Sequence, residues 1–280
     1  MPEGDSLYRF AARLRPVLEG QVILGARSHG PGPVPQVARI VGAMCTGVSA
    51  VGKNLLIDFD NGLTLRGHLR MYGTWHVYKP GELWRKPERD ARLILEVDGA
   101  TVVNFTAPVI ELLETRAVGL HQPVSGLGPN LIDEDFDEDE VLRRFREPSR
   151  AMLTMGDAVM DQRVMAGVGN IWKHETLFRC KLYPWRLVRD MSDEDLRAVI
   201  AMARSLLRQS VGKDQPRGHA RRPAAHVYGR SGQGCPRCHS RILRASQGRD
   251  IRGTAWCPTC QPRREDDPAP GWVSPAVRDV

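Results

Sequence analysis

Short apolar runs separated by turn sequences occupy the N-terminal part of the chain and predict a β-rich domain. The runs are Leu55–Phe59, Leu63–Arg66, Ala91–Val97 and Thr101–Phe105. Asp60-Asn61-Gly62 and Asp98-Gly99 lie between consecutive runs, where a hairpin turn needs residues that tolerate positive φ. Ahead of the runs, apolar residues recur at helical spacing, at Leu7, Phe10, Ala11, Leu14 and Leu18. A helix followed by many short strands is typical of a sandwich or a barrel with a flanking helix.

The pattern changes to helical after Ser125-Gly126-Leu127-Gly128-Pro129, which is typical of a linker. One helix is predicted after the acidic cluster Asp133–Glu140, and a second from Ser149 to about Arg163. A short helix follows the glycine-rich break Ala166–Asn170, and Ser192 is expected to cap a longer amphipathic helix. We expect a basic loop over 213–222 and a disordered tail over 263–280, since neither segment has apolar periodicity.

The charge of the chain is uneven and favours a polyanionic partner. Lys and Arg outnumber Asp and Glu by 40 to 33, and between Lys213 and Arg252 there are ten basic residues but only two acids. A local positive field of this kind suits nucleic acid, although a merely well-solvated surface is the alternative. No apolar run approaches the ~18 residues of a membrane span. Because the N-terminus is acidic and lacks the apolar core of a secretory signal, we expect a cytoplasmic protein, located with the DNA, with no membrane association.

Two cysteine pairs near the C-terminus have the spacing of a structural zinc site. Cys235-x2-Cys238 is followed by eighteen residues and then by Cys257-x2-Cys260. Two such knuckles can place four thiolates in a tetrahedron around one zinc ion. A module this small has little core of its own, so the metal would supply much of its folding free energy. His239 is an alternative ligand, while Cys45 and Cys180 are expected to be ordinary buried residues.

Three further motifs accompany the cysteine pairs. The chain begins Met1-Pro2-Glu3-Gly4, residues 50–56 are AVGKNLL, and residues 160–172 are MDQRVMAGVGNIW. In this order, through about Gln261, the motifs resemble the formamidopyrimidine-DNA glycosylase and endonuclease VIII family.

The resemblance implies an α+β multidomain fold. Its parts would be an N-terminal catalytic β-sandwich with a flanking helix (1–122), a linker (123–134), a helix–two-turn–helix DNA-binding domain (135–225) and a C-terminal zinc-ribbon hairpin (226–262), followed by the tail. It also implies a monomeric, bifunctional DNA glycosylase and AP lyase of base excision repair, acting on damaged double-stranded DNA.

The resemblance makes Pro2, Glu3 and Lys53 the catalytic residues. Once Met1 is removed, Pro2 carries a secondary amine at the chain end, and an α-amino group titrates near ~7.7–8 where a lysine titrates near ~10.4. Such an amine can attack the sugar C1′ and form an iminium. Glu3 would act as the general acid and base, the alternative being an exposed acid on a flexible terminus. Lys53 would contact phosphate and assist catalysis.

The resemblance also implies DNA contacts. His68, Asn170 and Arg252 match phosphate-contacting positions, although helix capping is an alternative role for Asn170. Arg70, Met71 and Tyr72 occupy the wedge that fills the gap left by an extruded nucleotide. Glu175 matches a glutamate with a structural role.

The wedge favours the endonuclease VIII branch, and therefore oxidised pyrimidines as substrates. Tyr72 is typical of that branch, and the second loop, 107–113, has Ile110-Glu111 and lacks the Arg and Phe of formamidopyrimidine glycosylases. Asp5 and Ser6 depart from both branches, which commonly have Pro and Glu there, and Arg70 replaces a Gln. Two alternatives remain open: the same chemistry on oxidised purines, or a damaged-DNA-binding protein that has lost catalysis.

Overall fold

The computed structural model describes residues 2–30, 35–212, 224–248 and 250–275, and the chain folds as two units, Met1–Gly126 and Leu127–Val280. The boundary between them falls inside the segment 123–134 that the sequence assigns to a linker. The predicted basic loop, 213–222, lies outside the described residues.

The N-terminal unit contains two antiparallel sheets of four strands each, in the orders β1-β6-β7-β5 and β2-β3-β4-β8. The strands are β1 Gly25–Ser28, β2 Cys45–Val51, β3 Asn54–Phe59, β4 Leu63–His68, β5 Thr74–Tyr78, β6 Ala91–Val97, β7 Ala100–Phe105 and β8 Val109–Glu114. The helices are α1 Gly4–Leu18, α2 Thr115–Val118 and α3 Gln122–Ser125. Leu55 and Leu65 of one sheet and Leu93 and Val102 of the other belong to a single buried core. The predicted β-sandwich is therefore confirmed.

Helix α1 follows its predicted pattern. Leu7, Ala11, Leu14 and Leu18 are buried in the sandwich core. Burying a leucine side chain contributes roughly 1.5–3 kcal/mol, so this one face accounts for much of what holds the helix in place. The start of α1, which carries Glu3 and Asp5, is thereby fixed to the sandwich.

The described residues of the second unit are mainly helical and include one β-hairpin. Its helices are α4 Glu138–Phe145, α5 Met155–Ala158, α6 Asn170–Arg179 and α7 Asp193–Val211, and its strands are β9 Leu243–Gln247 and β10 Arg252–Trp256. Ser192 caps α7 as predicted, since its side chain accepts a hydrogen bond from the Asp195 N–H. The cap and the apolar face of α7 both follow from local sequence.

The predicted helix from Ser149 to about Arg163 is wrong, because only Met155–Ala158 is α-helical there. The backbone of this segment bonds to a neighbouring segment instead: the Met155 N–H donates to Arg186 O, and Leu153 O accepts from the Val188 N–H. These partners are distant in sequence, so a local pattern could not reveal them.

The prediction of a disordered tail is wrong for residues 263–275. Asp267 is buried and pairs with Arg186, the Tyr183 hydroxyl donates to Pro268 O, and the Ser274 hydroxyl donates to Met152 O. Trp272 packs against the cluster formed by Tyr183, Trp185 and Trp256. A few specific contacts therefore hold this segment in a defined conformation, although its composition is typical of disordered chains. Among the described helices, none combines the length and the apolarity that crossing a bilayer requires.

Candidate functional site

Pro2 and Glu3 lie at the N-terminus of α1. Glu3 has an extended backbone, and its carbonyl accepts the N–H groups of Ser6 (2.9 Å) and Leu7 (3.2 Å). Pro2 is half-buried, whereas Glu3 is 0% exposed. The alternative of an exposed acid on a flexible terminus is therefore wrong. A carboxyl group held out of water next to the chain terminus can exchange protons with groups bound beside it.

Asp5 places a second acid in the first turn of α1. It is 0% exposed, and its carboxylate lies 3.0 Å from the Arg9 guanidinium. An acid in the first turn interacts favourably with the helix dipole, and the i,i+4 pairing with Arg9 adds to this. The departure from the family pattern at position 5 is thus accommodated by a partner one turn along the same helix.

Lys53 occupies the turn between β2 and β3. Val51 pairs with Asn54 across the two-residue turn, and Gly52 at its first position has φ +58°. A two-residue hairpin with a positive φ at that position is best served by glycine. The sequence therefore has glycine before Lys53 because of the turn, and the turn presents Lys53 at the end of the hairpin.

A polar network lies beneath this hairpin. Arg66, buried in β4, donates from Nε to Asn54 Oδ1 (3.0 Å) and from Nη1 to Glu111 Oε2 (2.5 Å). His121 Nε2 lies 3.1 Å from the same Glu111 oxygen, and Asn54 Nδ2 donates to Val51 O (3.2 Å). Arg66 and Asn54 are buried while Glu111 and His121 are partly exposed, and bonds among such side chains restrain the hairpin above them. Glu111, identified from sequence as a branch marker, is thus a support for the Lys53 hairpin.

His68 lies beside Lys53, because Asn54 pairs with His68 across β3 and β4. His68 Nδ1 accepts the Arg70 N–H at 3.3 Å, so the proton of the neutral ring is on Nε2. Burial, together with the positive charges of Arg66, Lys53 and Arg70, lowers the pKa of His68 to about 4. The neutral His68 ring thus offers an N–H donor next to positively charged side chains, and this combination is suited to binding a phosphate group.

In the wedge loop, residues 69–73, Leu69 is buried while the side chains of Arg70, Met71 and Tyr72 are exposed to solvent. The Gly73 N–H donates to Leu69 O at 3.0 Å, and a Cβ at Gly73 would lie 2.8 Å from Leu69 Cα, so only glycine fits. The large side chains of Met71 and Tyr72 are 57% and 75% exposed. Exposed apolar groups on a tight, well-anchored turn are typical of a binding surface.

The glycine-rich turn before α6 is organised by Gln162. Its Nε2 donates to Met160 O (2.7 Å) and Val168 O (2.8 Å), and its Oε1 accepts the Gly167 N–H (3.1 Å). Gly169 is the N-cap of α6, and Asn170 is its first residue. The alternative role of Asn170 as the helix cap is therefore wrong. Asn170 Oδ1 is buried with no hydrogen-bond partner among the described residues.

The four cysteines form a cluster that fits a metal ion. Their Sγ atoms all lie within 4.8 Å of one another. The N–H groups of Arg237 and Cys260 point at Cys235 Sγ and Cys257 Sγ, each at 3.4 Å, as expected around thiolates that bind a metal. His239 is not part of the group. Cys45 and Cys180 lie elsewhere, and burial raises the pKa of each to about 11.

Helix α6 makes hydrogen bonds to the segment before the first cysteine pair and to strand β10. The Glu175 carboxylate accepts the N–H groups of His226, Val227 and Tyr228, as expected for a structural residue. His174 donates from Nδ1 to Asn170 O and accepts the Ala255 N–H on Nε2 at 2.8 Å. Sequence reasoning missed His174, because its partner on β10 is 81 residues away.

Arg252 begins β10 but does not point freely into solvent. Its Nε and Nη2 atoms lie 3.0 Å and 2.8 Å from Asp250 Oδ2. Both residues border a cavity of about 470 Å³, whose lining also includes Arg150, Arg163 and Lys173. Sequence reasoning did not identify Asp250 as a partner, although its position two residues before Arg252 was a usable signal.

Comparisons with known proteins agree with this architecture. Residues 1–108 match the formamidopyrimidine-DNA glycosylase N-terminal domain, and residues 127–219 match the formamidopyrimidine-DNA glycosylase H2TH domain. The chain is 36% identical over 272 residues to "Probable endonuclease 8 2" of Streptomyces coelicolor, covering 93% of this chain and 94% of that protein. It is 28% identical over 265 residues to "Endonuclease 8" of Salmonella arizonae, covering 93% of this chain and 100% of the relative.

Solved structures show the same fold. Lactococcus lactis Fpg in complex with DNA containing an oxidised pyrimidine superimposes with a TM-score of 0.80 at 22% identity, over 94% of this chain and 100% of that one. The same protein in complex with abasic-site DNA superimposes with a TM-score of 0.79 at 21% identity, with the same coverage. On the relationship to the Streptomyces protein and the two matched domains, the chain belongs to the formamidopyrimidine-DNA glycosylase and endonuclease 8 family.

Proposed function

We propose that the chain is a bifunctional DNA glycosylase and AP lyase of base excision repair that acts as a monomer on damaged double-stranded DNA in the cytoplasm. The single observation that carries the proposal is the complete burial of Glu3 beside half-buried Pro2 at the start of α1. A chain start with no chemical role would not need its acid removed from water. The curated endonuclease 8 relatives support the same activity.

Pro2 is the nucleophile in this proposal. After removal of Met1, its nitrogen bonds to the sugar C1′ as the bond from C1′ to the damaged base breaks, and the opened sugar is held as an iminium. Glu3 moves the protons that the sugar oxygen and the departing base require. The iminium acidifies the C2′ proton, so β-elimination expels the 3′ phosphate. A following δ-elimination expels the 5′ phosphate, which leaves a one-nucleotide gap.

The phosphates on either side of the lesion are bound by cations and N–H donors. In the N-terminal unit, Lys53, His68 and Arg70 provide them. The charges of Lys53 and Arg70 both contribute to the lowered pKa of His68, and this supports a shared anion site. In the second unit, we assign phosphate contacts to Asn170 and Arg252. Asn170 supports this role because its side chain is not used to cap α6.

We infer a preference for oxidised pyrimidines. Tyr72 and Met71 are the exposed side chains that would fill the space left by the extruded nucleotide. The predicted second loop, residues 107–113, has neither the Arg nor the Phe that would read the opposite base, and most of it is strand β8, which begins at Val109. One loop alone offers few groups to recognise a specific partner base.

One structural zinc ion completes the proposal. Cys235, Cys238, Cys257 and Cys260 would hold it, and four thiolates leave no position open for catalysis. The ion would stabilise the hairpin that carries Arg252.

Borohydride trapping on abasic-site DNA tests the function. The wild-type protein should form a covalent adduct, and mass spectrometry should place the adduct on Pro2 with Met1 absent. Pro2→Gly keeps a primary amine and should retain some trapping, whereas an N-terminal extension should abolish it. Glu3→Gln should lose base excision. Efficient trapping by the extended protein, or no trapping by the wild type, would contradict the proposal.

A further inference from the structure

Two loops of the N-terminal unit contain non-glycine residues with positive φ. Among the described residues of this unit, they are Arg70 (φ +45°) in the wedge loop and Thr106 (φ +55°) just after β7. A β-branched residue such as Thr106 is strained in the left-handed region. Strain of this kind persists only where the surroundings enforce it, and it is frequent at functional sites.

The two loops face each other because of strand register. Thr74, the first residue of β5, pairs with Phe105, the last residue of β7. The residues that flank this pair, Gly73 and Thr106, therefore extend from the same end of the sheet. The pairing of β5 with β7 therefore makes the wedge loop and the connection 106–108, between β7 and β8, neighbours.

In this strained conformation, the Thr106 side chain makes a hydrogen bond to the wedge loop. Its N–H donates to Asp90 O at 2.9 Å, and its hydroxyl donates to the backbone oxygen of Tyr72, also at 2.9 Å. Both polar groups of the Tyr72–Gly73 peptide are therefore bonded, since its N–H, on Gly73, donates to Leu69 O at 3.0 Å. The hydroxyl contact is exposed to solvent, where a hydrogen bond adds little to the stability of the fold. A strained residue that makes a weakly stabilising bond is better explained by what the bond positions.

We propose that Thr106 is a positioning residue for the Tyr72 wedge, and that the connection 106–108 between β7 and β8 supports the wedge loop instead of inserting side chains of its own into the duplex. This inference rests on the proposed function, in which Tyr72 fills the space left by the extruded nucleotide. The bond fixes the Tyr72 backbone, so the exposed ring meets the base stack in one orientation. Without the bond, the ring samples several orientations and extrusion of the damaged base slows.

A mutant cycle tests the proposal in the full-length protein. Thr106→Val removes the hydroxyl but keeps the branched shape, and Thr106→Ser keeps the hydroxyl. Single-turnover excision of thymine glycol from a duplex should fall about fivefold in Thr106→Val, the factor expected for one hydrogen bond, and recover in Thr106→Ser. In a Tyr72→Ala background, Thr106→Val should have no further effect, because no ring remains to be positioned.

Two further measurements distinguish loss of wedge positioning from a general loss of stability and from a failure of the proposed function. The thermal midpoint of Thr106→Val should equal that of the wild type, and its borohydride trapping on ready-made abasic DNA, where no base needs extrusion, should be unchanged. An unaltered excision rate in Thr106→Val, or an equal loss in the Tyr72→Ala background, would overturn the proposal. If the wild type itself were not trapped, the proposed function would fail; if it were trapped and the cycle showed no coupling, only the role of Thr106 would fail.

Discussion

Arg186 and Asp267 form a buried, two-point ion pair although 81 residues separate them, with distances of 3.1 Å from Nε to Oδ1 and 3.0 Å from Nη2 to Oδ2. Asp267 Oδ2 also accepts the Arg264 N–H at 2.7 Å. The pair ties the segment after the cysteine cluster to the segment that leads into α7.

Removal of one partner of this pair should destabilise the protein. Asp267→Asn leaves the buried Arg186 without its counter-charge, which typically costs about 3–5 kcal/mol. Urea unfolding of the second unit measures the change. Asp190→Asn, in the exposed pair with Arg189 of the same unit, is the control, with an expected effect below about 1 kcal/mol. Equal effects of the two substitutions would mean that the buried pair stabilises this unit no more than an exposed pair does.

Asp250 should act as a competitor for DNA at Arg252. Asp250→Asn frees the guanidinium and removes a negative charge, so affinity for abasic-site DNA should rise about two- to fivefold at low salt, as expected for an exposed ion pair. Fluorescence anisotropy over a range of salt concentrations measures this. Asp266→Asn makes the same charge change at another exposed site and should have a smaller effect. In an Arg252→Ala background, Asp250→Asn should lose most of its benefit; an undiminished gain there would refute the competition.

His68 should titrate near pH 4 in the free protein. Burial is the main cause of its lowered pKa, and Lys53 contributes, so Lys53→Gln should raise the pKa. Because the folded state has the lower pKa, the unfolded state takes up this proton first. The free energy of unfolding should therefore fall as pH decreases from about 6.5 to about 4, and less so in His68→Asn. NMR titration gives the pKa directly, and a value near 6.5 would contradict the packing described here.

The cysteine cluster should bind one zinc ion per chain. Cys257→Ser should lose the metal, unfold the hairpin and weaken DNA binding strongly, because the hairpin has little core apart from the metal site. Cys180→Ser, outside the cluster, should retain one zinc. Metal analysis of the freshly purified protein measures both, and active protein without zinc would refute the assignment.

Lesion preference should follow the wedge. Thymine glycol or dihydrouracil should be excised faster than 8-oxoguanine opposite cytosine. The opposite base should change the activation free energy only weakly, on the order of the ~1–3 kcal/mol that one good bidentate base contact supplies. Single-turnover excision of each lesion opposite several bases decides the point. If 8-oxoguanine opposite cytosine is excised faster than every pyrimidine lesion, the branch assignment is wrong while family membership stands.

Sequence by itself determined the features that depend on short-range chemistry. Alternating apolar runs predicted four strands, including Ala91–Val97 with the observed bounds, and spacing predicted the buried face of α1. The cysteine spacing predicted a cluster that the structure brings within 4.8 Å. These features can be predicted from sequence because the residues responsible for each lie close together along the chain, within one turn, one strand or one Cys-x2-Cys pair.

Only the tertiary structure decided the contacts that join distant segments. Strand register places Thr106 against Tyr72 and Asn54 against His68. The predicted helix from Ser149 is interrupted because the backbone of this segment bonds to residues 184–188. Residues 263–275 are ordered because contacts such as the Arg186–Asp267 pair outweigh their local propensity for disorder. Neither effect could be predicted from local sequence. The burial of Glu3 belongs with them. Its sequence neighbours look like those of any exposed acidic terminus, and only packing of α1 on the sandwich removes the carboxylate from water.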